Sequence, residues 1–266
     1  MALESLGYVT SKSGALLVAD FGLFGPWEGN PPGPAIRAAL SQGRYAFEHA
    51  GVPGVAIPNV PVGVPLPVSG LRIDSGPFTG MWQAIFVDFV ERPHAARTVE
   101  AGRIIVDAAR AGFFDVDAVA AWQHDVPVDG RADVAFWGLH GEEVARRFNA
   151  GRIEEDNFGW MDLPIQQAQQ VAQQLDQLRS TGELRFAYDF RPHSHHYVLM
   201  KQVRSRPTES GVIGIGGQQA VCGFMTSWGD GEFPVMLDFD EAGALTRCGI
   251  FLATEQAQEN MRQVNP

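Results

Sequence analysis

The sequence predicts an α+β fold: an antiparallel, strongly twisted sheet that ends in a three-strand meander, with about four helices. Three observations carry this expectation. The 266 residues include 30 glycines and 17 prolines, a density of chain breakers that favours short strands and many turns. The C-terminal quarter holds three apolar runs, Gln219–Trp228, Phe233–Phe239 and Leu245–Leu252, separated by Gly229-Asp230-Gly231 and by Asp240-Glu241-Ala242-Gly243. Ile165, Ala168, Val171, Ala172, Leu175 and Leu178 recur at helical spacing and give one apolar stripe. With 45% hydrophobic residues, including 17 Phe and 6 Trp, the chain has ample material for a core.

Taken in order, Gly14–Phe21 reads as a buried strand because its apolar run is continuous. Pro34 opens a helix over 34–41, since proline is tolerated in a first helical turn, and Gly43 ends it. From Val52 to Val68 proline recurs at 53, 58, 61, 65 and 67, which predicts an extended polyproline-like strap or a sheet edge. Met81–Val90 and Arg103–Asp107 read as strands, and Asp115 caps a helix over 115–124. A short apolar run follows at Val134–Trp137, then a helix over 141–150 ended by Gly151. Gly151–Gly159 is the nearest approach to a linker. The stripe above sets a helix over 163–180, and Leu184–Phe190 and His196–Arg204 alternate as strands. On Phe233–Phe239 the odd positions share one face, as expected of a strand with one side on a core. A single domain over 1–266 is expected, with a β subregion over 1–110 and an α+β subregion over 111–266.

The formal net charge is −11. Such a field repels phosphate backbones and anionic lipid surfaces, which argues against nucleic acid and membranes as partners and leaves a basic protein partner open. The two cysteines, Cys222 and Cys248, are too few for a disulfide framework. On the first and third strands of a meander they would lie roughly 10 Å apart, beyond the ~7 Å a disulfide spans. Two free buried thiols are therefore expected. No apolar run reaches a membrane span and no signal-like segment is seen at Met1–Ser5, so a cytoplasmic location is expected.

Ser227-Trp228-Gly229-Asp230-Gly231-Glu232-Phe233-Pro234-Val235, followed by the Asp238–Gly243 turn and Gly249–Leu252, resembles the ending of a bacterial family catalogued as domain of unknown function number 4241. Val106-Asp107-Ala108-Ala109-Arg110-Ala111-Gly112-Phe113-Phe114-Asp115 is similar to a second segment of that family, with Ala109 and Ala111 where members tend to carry glycine. The resemblance carries no established activity. By analogy with genes that neighbour bacterial toxin systems it implies an immunity or binding role.

The residues themselves single out a few candidates. Asp107, Trp228 and Asp230 are candidate binding residues, with turn and packing roles as the alternative. His193-Ser194-His195-His196 is the histidine cluster; if extended, His193 and His195 share a face, with Asp189 as a further ligand, but that set is incomplete and no metal or cofactor is expected. Asp238–Gly243 lacks the later ligands of a calcium loop and reads as a hairpin turn. Gly211–Gly217 runs into a strand rather than a helix and so is not a dinucleotide loop. No nucleophile elbow, zinc-protease or phosphate-loop motif is present. Three functions remain in view: a non-enzymatic binding protein, with a toxin's immunity partner as the concrete form; a small-molecule hydrolase with an Asp/His site; and a structural subunit of a bacterial assembly.

Overall fold

The computed structural model describes residues 3–153, 158–217 and 219–264. The chain divides into two compact units: one is formed by residues 1–122 and 199–266, the other by the intervening Gln123–Val198. The second unit is thus an insertion, and the sequence boundary placed near residue 110 does not coincide with it. The mixed α and β class is as expected.

In chain order the first unit supplies β1 (Leu3–Thr10), β2 (Ala15–Ala19), α1 (Gly33–Ser41), β3 (Ala46–His49), β4 (Val52–Pro58), β5 (Pro65–Arg72), β6 (Trp82–Asp88), β7 (Arg97–Val106), β8 (Arg110–Asp115) and α2 (Val116–Ala120). The insertion supplies β9 (Arg131–Trp137), α3 (Gly141–Arg147), β10 (Gly151–Ile153), β11 (Phe158–Pro164), α4 (Ile165–Ser180) and β12 (Ala187–Pro192). Helix α5 (His195–Ser205) begins in the insertion, and β13 (Ser210–Ile215), β14 (Gln219–Met225), β15 (Gly231–Phe239), β16 (Leu245–Phe251) and α6 (Glu255–Val264) complete the first unit.

The first unit is a sandwich of two six-stranded antiparallel sheets, ordered β1-β5-β6-β16-β15-β7 and β13-β14-β8-β2-β4-β3. Their facing side chains form one core: Val68, Ile85, Val235 and Ile250 from the first sheet meet Leu16, Val55, Phe113 and Phe224 from the second. The second sheet is buried on its other face as well. There Phe114 packs edge-on against Phe24 and Trp122, at centroid distances of 5.0 and 5.8 Å. This double burial is why β2 reads Leu-Leu-Val-Ala without alternation.

The three-strand meander is corrected here. β15 and β16 do form an antiparallel hairpin, closed by Gly243 N donating to the Asp240 carbonyl at 3.0 Å. The run before them, β14, pairs instead with β13 and β8 in the opposite sheet. Period-two patterning shows which face a strand buries but not which sheet it joins.

The proline strap is also corrected: 52–68 supplies two paired strands, β4 and β5. Pro65 and Pro67 pair with β1, while the ladder to β6 starts only at Val68. Pro53 has only β3 beside it, Pro58 only β2, and Pro234 only β7. Each proline sits where its strand has a neighbour on one side, so the missing N–H removes no bond a second neighbour could take.

Among the described residues six α-helices appear where about four are expected. The predicted strand His196–Arg204 is helix α5, entered through Ser194, whose hydroxyl accepts from Tyr197 N at 3.2 Å. Leu199, Met200 and Val203 form its buried face, and the alternation of His196, Val198 and Met200 mimics a strand by coincidence. Helix α6 was unforeseen because its residues are almost all polar, with Ala257 and Met261 as its contacts to the core. Helices 115–124 and 141–150 end early, at Ala120 and Arg147, and 163–180 starts at Ile165 because Asp162–Pro164 belongs to β11. Part of the expected Gly151–Gly159 linker, residues 154–157, lies outside the described residues, and its flanks are the paired strands β10 and β11.

In the insertion, the four-stranded sheet is ordered β10-β11-β9-β12 and α4 covers one face. Ala132, Val134 and Phe136 of β9 meet Ala168, Leu175 and Leu178 of α4. The remaining β9 positions therefore point to the opposite face, and Asp133 is one of them. Leu175 is fully buried, so Leu175→Ala should destabilise the insertion by about 2–5 kcal/mol. Chemical denaturation reads this; a change under about 0.5 kcal/mol would show that the site collapses around the smaller side chain or that α4 is only lightly packed.

Candidate functional site

Backbone register assembles the candidate site. Asp162 on β11 lies directly opposite Asp133 on β9, and Arg191 on β12 lies opposite Asp133 from the other side. Like charges directly opposed across a ladder are destabilising. The surrounding residues meet that demand with positive charge. Arg131 Nε donates to Asp162 Oδ1 at 2.8 Å. His193, just past the end of β12, approaches Asp133 Oδ1 at 3.2 Å and Asp162 Oδ1 at 3.9 Å through Nε2. Its Nδ1 lies 2.8 Å from Asp129 Oδ2. Tyr197, in the first turn of α5, donates its hydroxyl to Asp133 Oδ2 and stacks on the His193 ring at a centroid distance of 5.6 Å.

Burial sharpens these interactions. Asp133 is 3% exposed and His193 8%, whereas the Asp162 and Asp129 side chains are about half exposed. Burial by itself lowers the His193 pKa, but the bonds to Asp129 and Asp133 outweigh it and raise the imidazole above its ordinary value. Burial and the bond to Asp133 push the Tyr197 phenol well up, so it stays protonated and acts as a donor. Among the described residues, Asp133, Asp162 and His193 are the one group of three histidine, cysteine or acidic side chains whose ligand atoms all lie within 4.8 Å of one another.

The incomplete set that the sequence offered as an alternative, His193 with His195 and Asp189, is not the group that comes together. His195 begins α5, where its Nδ1 accepts from Gln123 N at 2.9 Å. Asp189 pairs with Arg191 at 2.7 Å. Sequence reasoning missed Asp129, Asp133 and Asp162 because they lie on segments that pair only through the register of β9, β11 and β12. One signal was present: an aspartate in the middle of the apolar run Arg131–Trp137 demands a partner.

The sequence candidates in the first unit form a separate arrangement. The Asp107–Ala109 turn meets Thr226–Asp230. Asp20 accepts from Asp107 N and Ala108 N, both at 2.9 Å, and from Gly22 N at 2.7 Å. Asp230 Oδ1 accepts from Ala109 N at 2.9 Å, and Ala109 O accepts from Thr226 N at 2.9 Å. Asp107 is exposed and its own amide serves Asp20. Burial raises the Asp20 pKa and lowers that of neighbouring Arg110, while each charge acts to offset the other's shift. Trp228 is buried, with Nε1 donating to Trp82 O at 2.6 Å, and Ser227 Oγ accepts from Trp82 N at 2.9 Å. Consecutive side chains thus hold both main-chain polar groups of one residue, Trp82, at the start of β6.

Gly229-Asp230-Gly231 is therefore a crossover between sheets rather than a hairpin. The glycine that needs its freedom is Gly229, at φ +73°, where a Cβ meets nothing within 4 Å. Gly229→Val should cost about 1–2 kcal/mol through backbone strain alone. Asp230→Ala, which loses one hydrogen bond at an exposed site, should cost at most about 1 kcal/mol. Thermal melts of the two variants check the order; the reverse order would mean Asp230 organises the crossover.

Cys222 and Cys248 lie on strands of different sheets, β14 and β16, so the premise of a shared meander is replaced; both are free and buried in the common core. Burial pushes the Cys222 thiol up to about 12 and Cys248 further. Both should resist alkylation at pH 8 until the protein unfolds. Fast modification of either in the native protein, seen by intact mass, would show that the core opens.

No family model matches the chain, and neither does any curated protein or any solved structure. No helix among the described residues is long and apolar enough to cross a membrane.

Proposed function

We propose that the protein is a non-enzymatic binding protein whose partner is a basic, toxin-like protein, and that it belongs with the bacterial family of unknown function number 4241. The observation that carries this reading is how the candidate acid–base groups are used. Asp20 accepts three main-chain amides, Asp230 holds Ala109, and His195 Nδ1 is occupied by Gln123 N. Groups committed in this way position backbone rather than react. The net charge of −11 supplies the attraction for a basic partner. The test is co-purification at low salt, then reconstitution from purified components. A stoichiometric complex that weakens at least tenfold between about 50 and 500 mM salt supports the reading; an affinity indifferent to salt overturns the electrostatic basis.

A second reading, a hydrolase with an Asp/His site, draws on His193, Asp133 and Asp162 as a set of acid, base and ligand groups within reach of one another. Turnover of chromogenic esters or phosphoesters by the purified chain, lost in His193→Gln, would establish it in place of the first.

A further inference from the structure

We propose that Asp133, Asp162 and His193 form a divalent-cation site in the insertion, suited to a borderline ion such as Zn²⁺ or Mn²⁺. The proposal goes beyond the binding function above and stands or falls separately from it.

The donor atoms are spaced for such an ion. Bonds of about 2.0–2.2 Å from zinc to imidazole nitrogen and carboxylate oxygen place neighbouring ligands of a tetrahedron roughly 3.3–3.5 Å apart. His193 Nε2 lies 3.2 Å from Asp133 Oδ1 and 3.9 Å from Asp162 Oδ1. All the ligand atoms lie within 4.8 Å of one another, so inward shifts on the order of 1 Å bring the three onto one ion. The mixture of one imidazole and two carboxylates is a donor set that zinc and manganese accept.

The shell around the donors is also that of a metal site. A metal-bound imidazole ordinarily gives its other N–H to a carboxylate, which fixes the ring and its tautomer. Asp129 Oδ2 stands in that place, 2.8 Å from His193 Nδ1. Tyr197 holds Oδ2 of Asp133 and so leaves Oδ1 turned toward His193. The ligands are thus oriented by groups that are not themselves ligands.

Electrostatics set by the backbone also favour an ion. The β9–β11 register obliges two carboxylates to face each other, one of them 3% exposed. Arg131 and His193 offset part of that repulsion, and a divalent ion between the carboxylates adds a stronger attraction for both. The Asp162 side chain is 54% exposed, which gives an ion a way in and leaves room for water to complete the coordination. Arg131, 2.8 Å from Asp162 Oδ1, is the competing cation; it must release that oxygen or share the carboxylate.

The test uses the full chain, stripped with a chelator and titrated with Zn²⁺ and separately with Mn²⁺ by calorimetry, with melting temperature followed in parallel. Binding of one equivalent of at least one ion, with a rise in melting temperature, is expected. Asp162→Asn, at an exposed position where folding is not at stake, should weaken binding at least tenfold, and His193→Gln likewise. Asp176→Asn on α4 should leave it unchanged. Absence of saturable binding by both ions overturns the proposal. So does one-to-one binding that survives Asp162→Asn but disappears in His196→Ala, since the stacked His124–His196 pair, with centroids 4.4 Å apart, would then hold the metal.

Discussion

Asp115→Ala should be the most damaging single substitution, costing about 3–5 kcal/mol. The carboxylate is fully buried at the join of β8 and α2. Its Oδ1 caps the helix by accepting from Asp117 N and Ala118 N at 2.9 and 3.1 Å. Its Oδ2 accepts from the hydroxyls of Ser11 and Ser13 and from the amides of Lys12 and Ser13, all between 2.7 and 2.9 Å. One side chain thus ties the loop between β1 and β2 to the start of a helix. Alanine would leave the buried Ser11 hydroxyl and Ala118 amide without this acceptor, while the amides of the exposed Lys12 and Ser13 would have to turn to water. Asp115→Asn keeps the shape but turns one acceptor into a donor, so it should cost less. Burial alone would raise the Asp115 pKa, yet the bonds from Ser11, Ser13 and Lys12 hold it below the ordinary 3.8. A depressed folded-state pKa adds stability that is present above the unfolded value and lost as pH falls below it. The wild type should therefore lose stability below about pH 4 by a step that Asp115→Asn lacks. Equal acid sensitivity in the two proteins would assign the loss to other carboxylates.

Trp228→Ala should cost about 3–5 kcal/mol. The indole is 3% exposed, packs on Phe78 at 5.1 Å between centroids, and donates to Trp82 O. Trp228→Phe restores most of the packing and gives up the hydrogen bond, so it should recover more than half of the loss. As a candidate binding residue Trp228 makes a different forecast: a stable alanine variant that no longer binds its partner. An unchanged melting temperature in Trp228→Ala would favour that role over packing.

What could be read in the sequence follows a physical division. Signals carried by near neighbours mostly survive translation into structure, the alternation over His196–Arg204 being the exception. The stripe of Ala168, Leu175 and Leu178 does lie on a core, and Asp115 does cap a helix. The Asp240–Gly243 turn joins the two strands it was expected to join. Signals that depend on distant pairing do not survive. Gln219–Met225 is a strand, but its partner β8 lies more than a hundred residues earlier. The Asp133–Asp162–His193 group is of the same kind, since each member comes from a different segment and only register unites them. The segments around Asp107 and Asp230 carry the resemblance and the candidate binding residues, and in the structure they tie main chain to carboxylates. This is backbone tied at a crossover, which the order of residues alone does not distinguish from a ligand site.

The insertion begins and ends at one place: Gln123 N donates to His195 Nδ1, and His195 N donates to Gln123 O at 3.0 Å. This has a kinetic meaning. The β8–β14 ladder joins Phe113 to Cys222, so a disordered chain must close a very long loop to form it. If the insertion folds first, its ends are pinned together and the loop that remains is roughly threefold shorter. Loop-closure entropy changes by about 0.6 kcal/mol per doubling, so the shortening is worth about 1 kcal/mol, close to a fivefold gain in the rate of finding that pairing. On that order of events the inserted unit would assist assembly of the sandwich. Pulsed hydrogen exchange should show β9 and α4 protected before β8 and β14, and a chain whose insertion is slowed by Leu175→Ala should assemble its sandwich late.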